Sequence, residues 1–127
     1  MQMIPMSKLG RVLIENQKNP AIYILVADQS PANIQHAIWK NFLHQNTPFI
    51  NGVEKIVQKM DYPVFYFHIN KLKRGEYVVE FSKLQPNNPT MEYGELTDLY
   101  LSQLTKQIAK EPSHWLWSHN RWKRAKG

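Results

Sequence analysis

The sequence contains no cysteine. That excludes disulfides, thiol nucleophiles and thiolate zinc sites, and it fits a reducing compartment. Glycine is scarce, with five residues and no cluster, so no glycine-rich loop is available to cradle a phosphate. No apolar run approaches the ~20 residues of a membrane-spanning helix. The opening Met1-Gln2-Met3-Ile4-Pro5-Met6 is too short and too uncharged for a signal peptide. The Gly-x-Ser-x-Gly pattern of a nucleophile elbow is also missing.

What is present is an ordinary globular composition: 127 residues, 43% hydrophobic and 20% charged. Residues 1–127 are expected to form a single domain with a real core. The formal charge is +6. Arg121, Lys123, Arg124 and Lys126 make the C-terminus locally basic, with no acid among them. Such an excess favours anionic partners: nucleic acid, anionic lipid or an acidic protein.

The periodicities predict a mixed α/β domain, with helices covering a partly parallel sheet. Ser7 is expected to cap a helix reaching about Lys18, with Leu9, Val12 and Leu13 on one face and Asn19-Pro20 as the stop. Ala21-Ile22-Tyr23-Ile24-Leu25-Val26-Ala27 is an uninterrupted apolar run and reads as a strand buried on both faces. Residues 32–50 show no clear period, although Trp39, Phe42 and Phe49 must pack somewhere. Gly52 opens a helix with Val53, Ile56, Val57 and Met60 on one face. Asp61-Tyr62-Pro63 ends that helix, and Val64 to Ile69 reads as a second buried strand. Strand, helix, strand implies a parallel pair with a right-handed crossover. Asn70 to Gly75 is expected as a basic turn, with residues 76–84 returning antiparallel. There Tyr77, Val79 and Phe81 share one face, and Glu80 and Ser82 the other. Pro86-Asn87-Asn88-Pro89 reads as a loop. A helix over 95–110 stacks Leu96, Tyr100, Leu104 and Ile108, and Pro112 ends it.

The most informative stretch is Pro112-Ser113-His114-Trp115-Leu116-Trp117-Ser118-His119-Asn120-Arg121-Trp122-Lys123. It holds three of the four tryptophans. Trp is costly to expose, and its N–H wants a partner when buried. The rings should therefore dock on the domain while the charges meet something anionic. On composition alone, the bland alternative of core-plugging rings with solvated charges is favoured.

The wording of this stretch resembles the closing signature of the bacterial lipid A biosynthesis acyltransferases, the lauroyl/myristoyl transferases of the lysophospholipid acyltransferase superfamily. There a Pro precedes a Trp-Leu-Trp run, followed by a His, a variable residue and Arg-Trp-Lys. Further blocks are similar to the family: Asp28-Gln29 after an apolar strand, the loop from Asn46 to Gly52 leading into a helix, Pro63-Val64 opening a strand, and the turn Lys73-Arg74-Gly75-Glu76-Tyr77. The resemblance covers essentially the whole chain. It departs where the 46–52 loop lacks a Phe-x-Gly form, where Thr105 stands in place of a frequent Glu, and where Asn120 replaces a frequent Arg.

The resemblance implies the C-terminal part of a glycerol-phosphate-acyltransferase-like fold. It implies an enzyme that moves a fatty acyl chain from acyl carrier protein or acyl-CoA to a glycolipid hydroxyl at the cytoplasmic face of the bacterial inner membrane. Asp28 and Gln29 would line the cleft, where open α/β sheets place ligands. Gly52, Arg74, His119, Arg121 and Lys123 would complete the substrate contacts, the basic ones against phosphate or an acidic carrier protein. The basic tail would also meet an anionic membrane surface.

The superfamily's catalytic pair, a His followed four residues on by Asp or Glu, is missing. With four residues between the His and the acid, the matching positions for His36, His44, His68, His114 and His119 hold Asn41, Phe49, Lys73, His119 and Arg124, and none is acidic. In the family that pair lies upstream of this region, with a membrane-anchoring helix. The chain is therefore expected to be the C-terminal portion of such an enzyme, soluble, and inactive alone. No catalytic residue is assigned in it. His114 and His119 fall on different faces of a helix without a carboxylate cluster, so no metal is expected, and no cofactor is implied. The competing readings are a non-catalytic lipid- or protein-binding relative and a nucleic-acid module. Aromatic-basic interleaving speaks for the latter, and confinement of the charge to one end speaks against it.

Overall fold

The computed structural model describes residues 3–60, 62–84 and 90–124. The Pro86–Pro89 stretch expected as a loop, Asp61 and Lys126 lie outside the described residues. The order is α1 (Met6–Glu15), β1 (Ile38–Phe42), β2 (Gln45–Phe49), α2 (Gly52–Met60), β3 (Val64–Lys73), β4 (Glu76–Leu84) and α3 (Glu95–Lys110), followed by a 3-10 turn (Pro112–His114).

The mixed α/β class holds, but the expected parallel pairing does not. Two separate antiparallel ribbons form, β1 with β2 and β3 with β4. Residues 21–27 form no strand, so the strand–helix–strand crossover is absent among the described residues. An apolar run signals a wish to be buried, not a partner to pair with. Here Ile22 is 92% exposed and, among the described residues, no strand is hydrogen-bonded to the segment.

β3 and β4 pair as expected, but β3 runs on to Lys73, through an irregularity between Lys71 and Lys73. The turn is only Arg74-Gly75, not Asn70 to Gly75. Gly75 takes φ +82°, the left-handed region glycine enters without cost. β3 was expected to be buried on both faces. Tyr66 and Asn70 are buried, whereas Phe65 and Ile69 are about half exposed. Tyr77, Val79 and Phe81 do share a face, and that face is exposed too.

Residues 32–50 lacked a legible period because their hairpin is unusual. Leu43 and His44 join β1 to β2, both with positive φ (50° and 64°). Asn-Gly is the common signal for such a turn, and it is not used here. The hairpin supplies Phe42 and Phe49, which are 1% and 2% exposed and pack edge to face at 5.6 Å.

α1 begins after Pro5, not at a Ser7 cap, and ends at Glu15 instead of near Lys18. Leu9 and Leu13 are buried. α2 has its expected bounds, and Val53, Ile56, Val57 and Met60 are half-buried along it. α3 buries Leu96, Leu101, Leu104 and Ile108 against Phe42, Phe49, Tyr66 and Leu84. α2 and α3 are tied by Glu54, which is 1% exposed. Its carboxylate accepts hydrogen bonds from the Gly94 N–H and from the Thr97 hydroxyl, the latter at 2.6 Å. A carboxylate at a helix N-terminus satisfies an orphan N–H and complements the dipole. Gly94 needs its φ of +95°, and a Cβ there would meet Lys40 Nζ at 3.0 Å.

Candidate functional site

An open, mostly apolar groove of about 1090 Å³ runs between residues 19–28, α1, α2, the β3–β4 ribbon and α3. Asp28 stands at its wall, half-buried, in a bend just after residues 21–27. Tyr66 and Tyr100 line the same groove. Burial pushes the Tyr66 phenol up to about 12, and the negative charge of Asp28 adds to the rise. Tyr100 is raised further, by burial first and then by Asp28 and Tyr66. Tyr66 also hydrogen-bonds Gln107 of α3. Asp28 thus acts electrostatically on two phenols that stay neutral far above their usual range.

The Trp-rich segment reaches the Asp28 loop from behind. His119 Nε2 accepts the Ser30 N–H at 3.3 Å. Arg124 donates to the Pro31 carbonyl at 2.7 Å and to that of Ala32. Arg121 is 1% exposed and donates to the Pro48 carbonyl at 2.8 Å, with its guanidinium 4.4 Å from the Phe49 ring centre. Its Nε and one terminal nitrogen have no hydrogen-bond partner among the described residues. Burial pushes its pKa down, and Tyr100 and Asp28 push it back up. Trp122 donates to the Thr47 hydroxyl at 2.9 Å and stacks on Phe42. Trp115 meets Phe42 edge-on, and both indoles are half-buried. Trp117 is 56% exposed, and its indole N–H donates to the Pro112 carbonyl at 2.6 Å. Two of the three rings therefore dock, through Phe42, a residue the sequence marked only as one that had to pack.

His119 and Arg121 reach the backbone of Ser30 and of Pro48 and do not line the groove, whereas Asp28 does. Gln29 is adjacent and exposed. Gly52 opens α2 between Ile50 and Val53, which both line the groove. Lys123 is exposed beside Trp122. Arg74 stands at the exposed tip of the β3–β4 turn and lines no part of the groove. Arg121 was expected to face phosphate. Its charge is instead directed into the protein, where it joins β2 to the closing segment.

Two histidines carry carboxylate partners that the His-x4-acid spacing does not find. His68 Nε2 lies 3.1 Å from Glu80 across the ribbon, and His114 Nδ1 lies 2.7 Å from Glu111. The second pair borders the groove. Among the described residues, no group of three or more His, Asp or Glu side chains could hold a metal ion. No helix among them is long and apolar enough to cross a membrane.

The family described as bacterial lipid A biosynthesis acyltransferase matches residues 1–124, nearly the whole chain. The chain belongs to this acyltransferase family. A comparison with curated proteins found no match.

Proposed function

We propose that this chain is the C-terminal portion of an enzyme that transfers a fatty acyl chain from acyl carrier protein or acyl-CoA to a hydroxyl of a lipid A precursor or similar glycolipid. The observation that carries the reading is the Asp28 loop: it follows the apolar run 21–27, borders a large apolar groove and is fastened by the family's closing signature. Asp28 lines the cleft, and exposed Gln29 beside it meets the substrate at its mouth. His119 and Arg121 hold its back, and Gly52 starts the helix along one wall. Exposed Lys123 and Arg74 meet the anionic acceptor or carrier, and the enzyme works at the cytoplasmic face of the inner membrane.

The acyl-transfer step needs a base to take the acceptor hydroxyl's proton as its oxygen attacks the thioester carbonyl. The thiolate of the carrier then leaves and takes up a proton. A positioned base is worth ~10²–10⁴-fold. The His and acid pair that performs this in the family is not in this sequence, and we assign it to polypeptide outside these residues. The absent pair equally supports a second reading, a non-catalytic relative that binds lipid or protein.

The test is a chimera in which these residues replace the matching part of an active family member. Acyl transfer from an acyl carrier protein thioester to a lipid A precursor is expected in the chimera and not from the chain alone. Asp28→Asn in the chimera should cost ~10²-fold or more, as for a group that positions substrate. An inactive but folded chimera supports the non-catalytic reading. Turnover by the chain alone, lost in His114→Gln, would place the base on the Glu111–His114 pair and overturn the proposal.

A further inference from the structure

Beyond Asn70, which is buried, residues 71–80 are all exposed, so the end of the β3–β4 ribbon stands clear of the core. Lys71 to Lys73, at ~3.3 Å per residue, carry the turn ~10 Å past Asn70. Within this tip Lys71 pairs with Tyr77 and Lys73 with Glu76, which leaves Leu72 opposite no residue of β4. Such a bulge re-aims a side chain, and Leu72 is 66% exposed. Tyr77 is 60% exposed. Lys71, Lys73 and Arg74 flank Leu72 against a single acid, Glu76, which lies 2.8 Å from Lys73. None of these side chains lines the groove, and a leucine this exposed adds little to the stability of the chain.

We infer that the tip of the β3–β4 ribbon is a membrane-contacting element: Leu72 and Tyr77 enter the interfacial layer of an anionic bilayer while Lys71, Lys73 and Arg74 meet its headgroup phosphates.

The two kinds of side chain suit that layer together. Lys and Arg lay their stems along apolar surface and keep their charges among the headgroups. Each such cation raises partition onto an anionic leaflet ~fivefold, and tyrosine is at home at the same level. The backbone sets the depth. A two-stranded ribbon has open edges, which hydrocarbon does not accept, so the strands stay among headgroups and water and only the side chains go deeper. A projection of ~10 Å matches the ~5–10 Å to which interfacial elements sink. An acidic protein is the other class of partner that cations attract. A stable protein interface takes ~20–30 residues a side, many more than this apex offers. The closing segment fits the membrane less well than its composition suggests. Arg121 and Arg124 donate inward to the carbonyls of Pro48, Pro31 and Ala32, which leaves Lys123 facing solvent.

The inference rests on the acyltransferase reading only in that the acceptor lipid lies in such a layer. Its test measures no acyl transfer, so either can fail alone. Because the sequence has no cysteine, Leu72→Cys carries a single environment-sensitive fluorophore on the purified chain, and Lys123→Cys serves as the comparison. With vesicles of phosphatidylethanolamine and phosphatidylglycerol, the label at position 72 should shift to the blue and be quenched by lipids brominated along the acyl chain. The label at position 123 should do neither. Unlabelled chain should sediment with the same vesicles and not with phosphatidylcholine alone. Leu72→Ser should weaken that binding ~tenfold or more, Lys71→Gln and Arg74→Gln ~fivefold each, and Leu72→Trp should strengthen it. All four should leave the melting temperature unchanged, as exposed positions do. Binding lost with the cations but indifferent to Leu72→Ser would overturn insertion in favour of charge alone. A blue shift at position 123 and not at 72 would overturn it in favour of the closing segment. A shift at position 72 with acyl carrier protein and not with vesicles would overturn it in favour of an acidic protein. No vesicle binding would also overturn it.

Discussion

Arg121 donates a hydrogen bond to the Pro48 carbonyl at 2.8 Å from beneath the protein surface. The arginine of the closing signature therefore joins the last described segment to β2. With His119 and Arg124 on Ser30, Pro31 and Ala32, it makes one side of the Asp28 loop part of the core. The signature's basic residues divide into two roles: Arg121 and Arg124 face inward, and Lys123 faces solvent.

Arg121→Ala should lower stability by about 2–4 kcal/mol, because it removes a buried cation's packing and leaves the Pro48 carbonyl unpaired. Lys123→Ala should change it by less than ~0.5 kcal/mol, as exposed substitutions do. Urea unfolding of both variants checks the contrast, and equal effects would refute the inward role.

Glu54→Gln should cost about 1–3 kcal/mol. The amide offers one acceptor oxygen where the carboxylate uses two, for the Gly94 N–H and the Thr97 hydroxyl. The loss should appear as faster amide exchange at the start of α3, measured residue by residue, with α1 unaffected.

The raised phenols predict an alkaline limit. An unfolded tyrosine ionises near ~10, whereas Tyr66 holds its proton to about 12 and Tyr100 holds it longer still. The folded chain binds the extra protons, so stability is full below pH ~10 and falls as pH rises toward 12. Tyrosinate absorbance should show two of the six tyrosines titrating late, and in Asp28→Asn both should titrate earlier. Unchanged titrations in that variant would mean Asp28 does not act on them.

His44→Gly should raise stability by about 1 kcal/mol, because His44 holds a left-handed φ of 64° at an exposed turn position. Thermal melts should show a rise of a few degrees. No rise would mean that entropy lost by the glycine offsets the relief.

Family, helices and the returning ribbon were legible in the sequence because each is a local pattern. The signature from Pro112 to Lys123 rests on rare residues in a fixed order. α2 and α3 rest on a repeat of apolar positions, β3 on an apolar run and β4 on alternation after a turn ending in glycine. The β1–β2 turn escaped because Leu43 and His44 carry no turn signal of their own. Its left-handed backbone is held by what Phe42 and Phe49 bury.

Tertiary structure alone decided what the charges and the apolar runs face. Residues 21–27 have the composition of a buried strand, but burial requires a neighbour, and a neighbour is not a property of the segment. The same holds for the phenylalanines of β3. Arg121 reads in sequence as one of a row of surface cations; only the approach of Phe49 and the Pro48 carbonyl turns it inward. Asp28 gains its influence over Tyr66 and Tyr100 in the same way. Periodicity is a one-dimensional signal and fixes which residues share a face. Which face meets protein, and which charge is desolvated, depends on distances between residues far apart in the chain, and these exist only once the chain has folded.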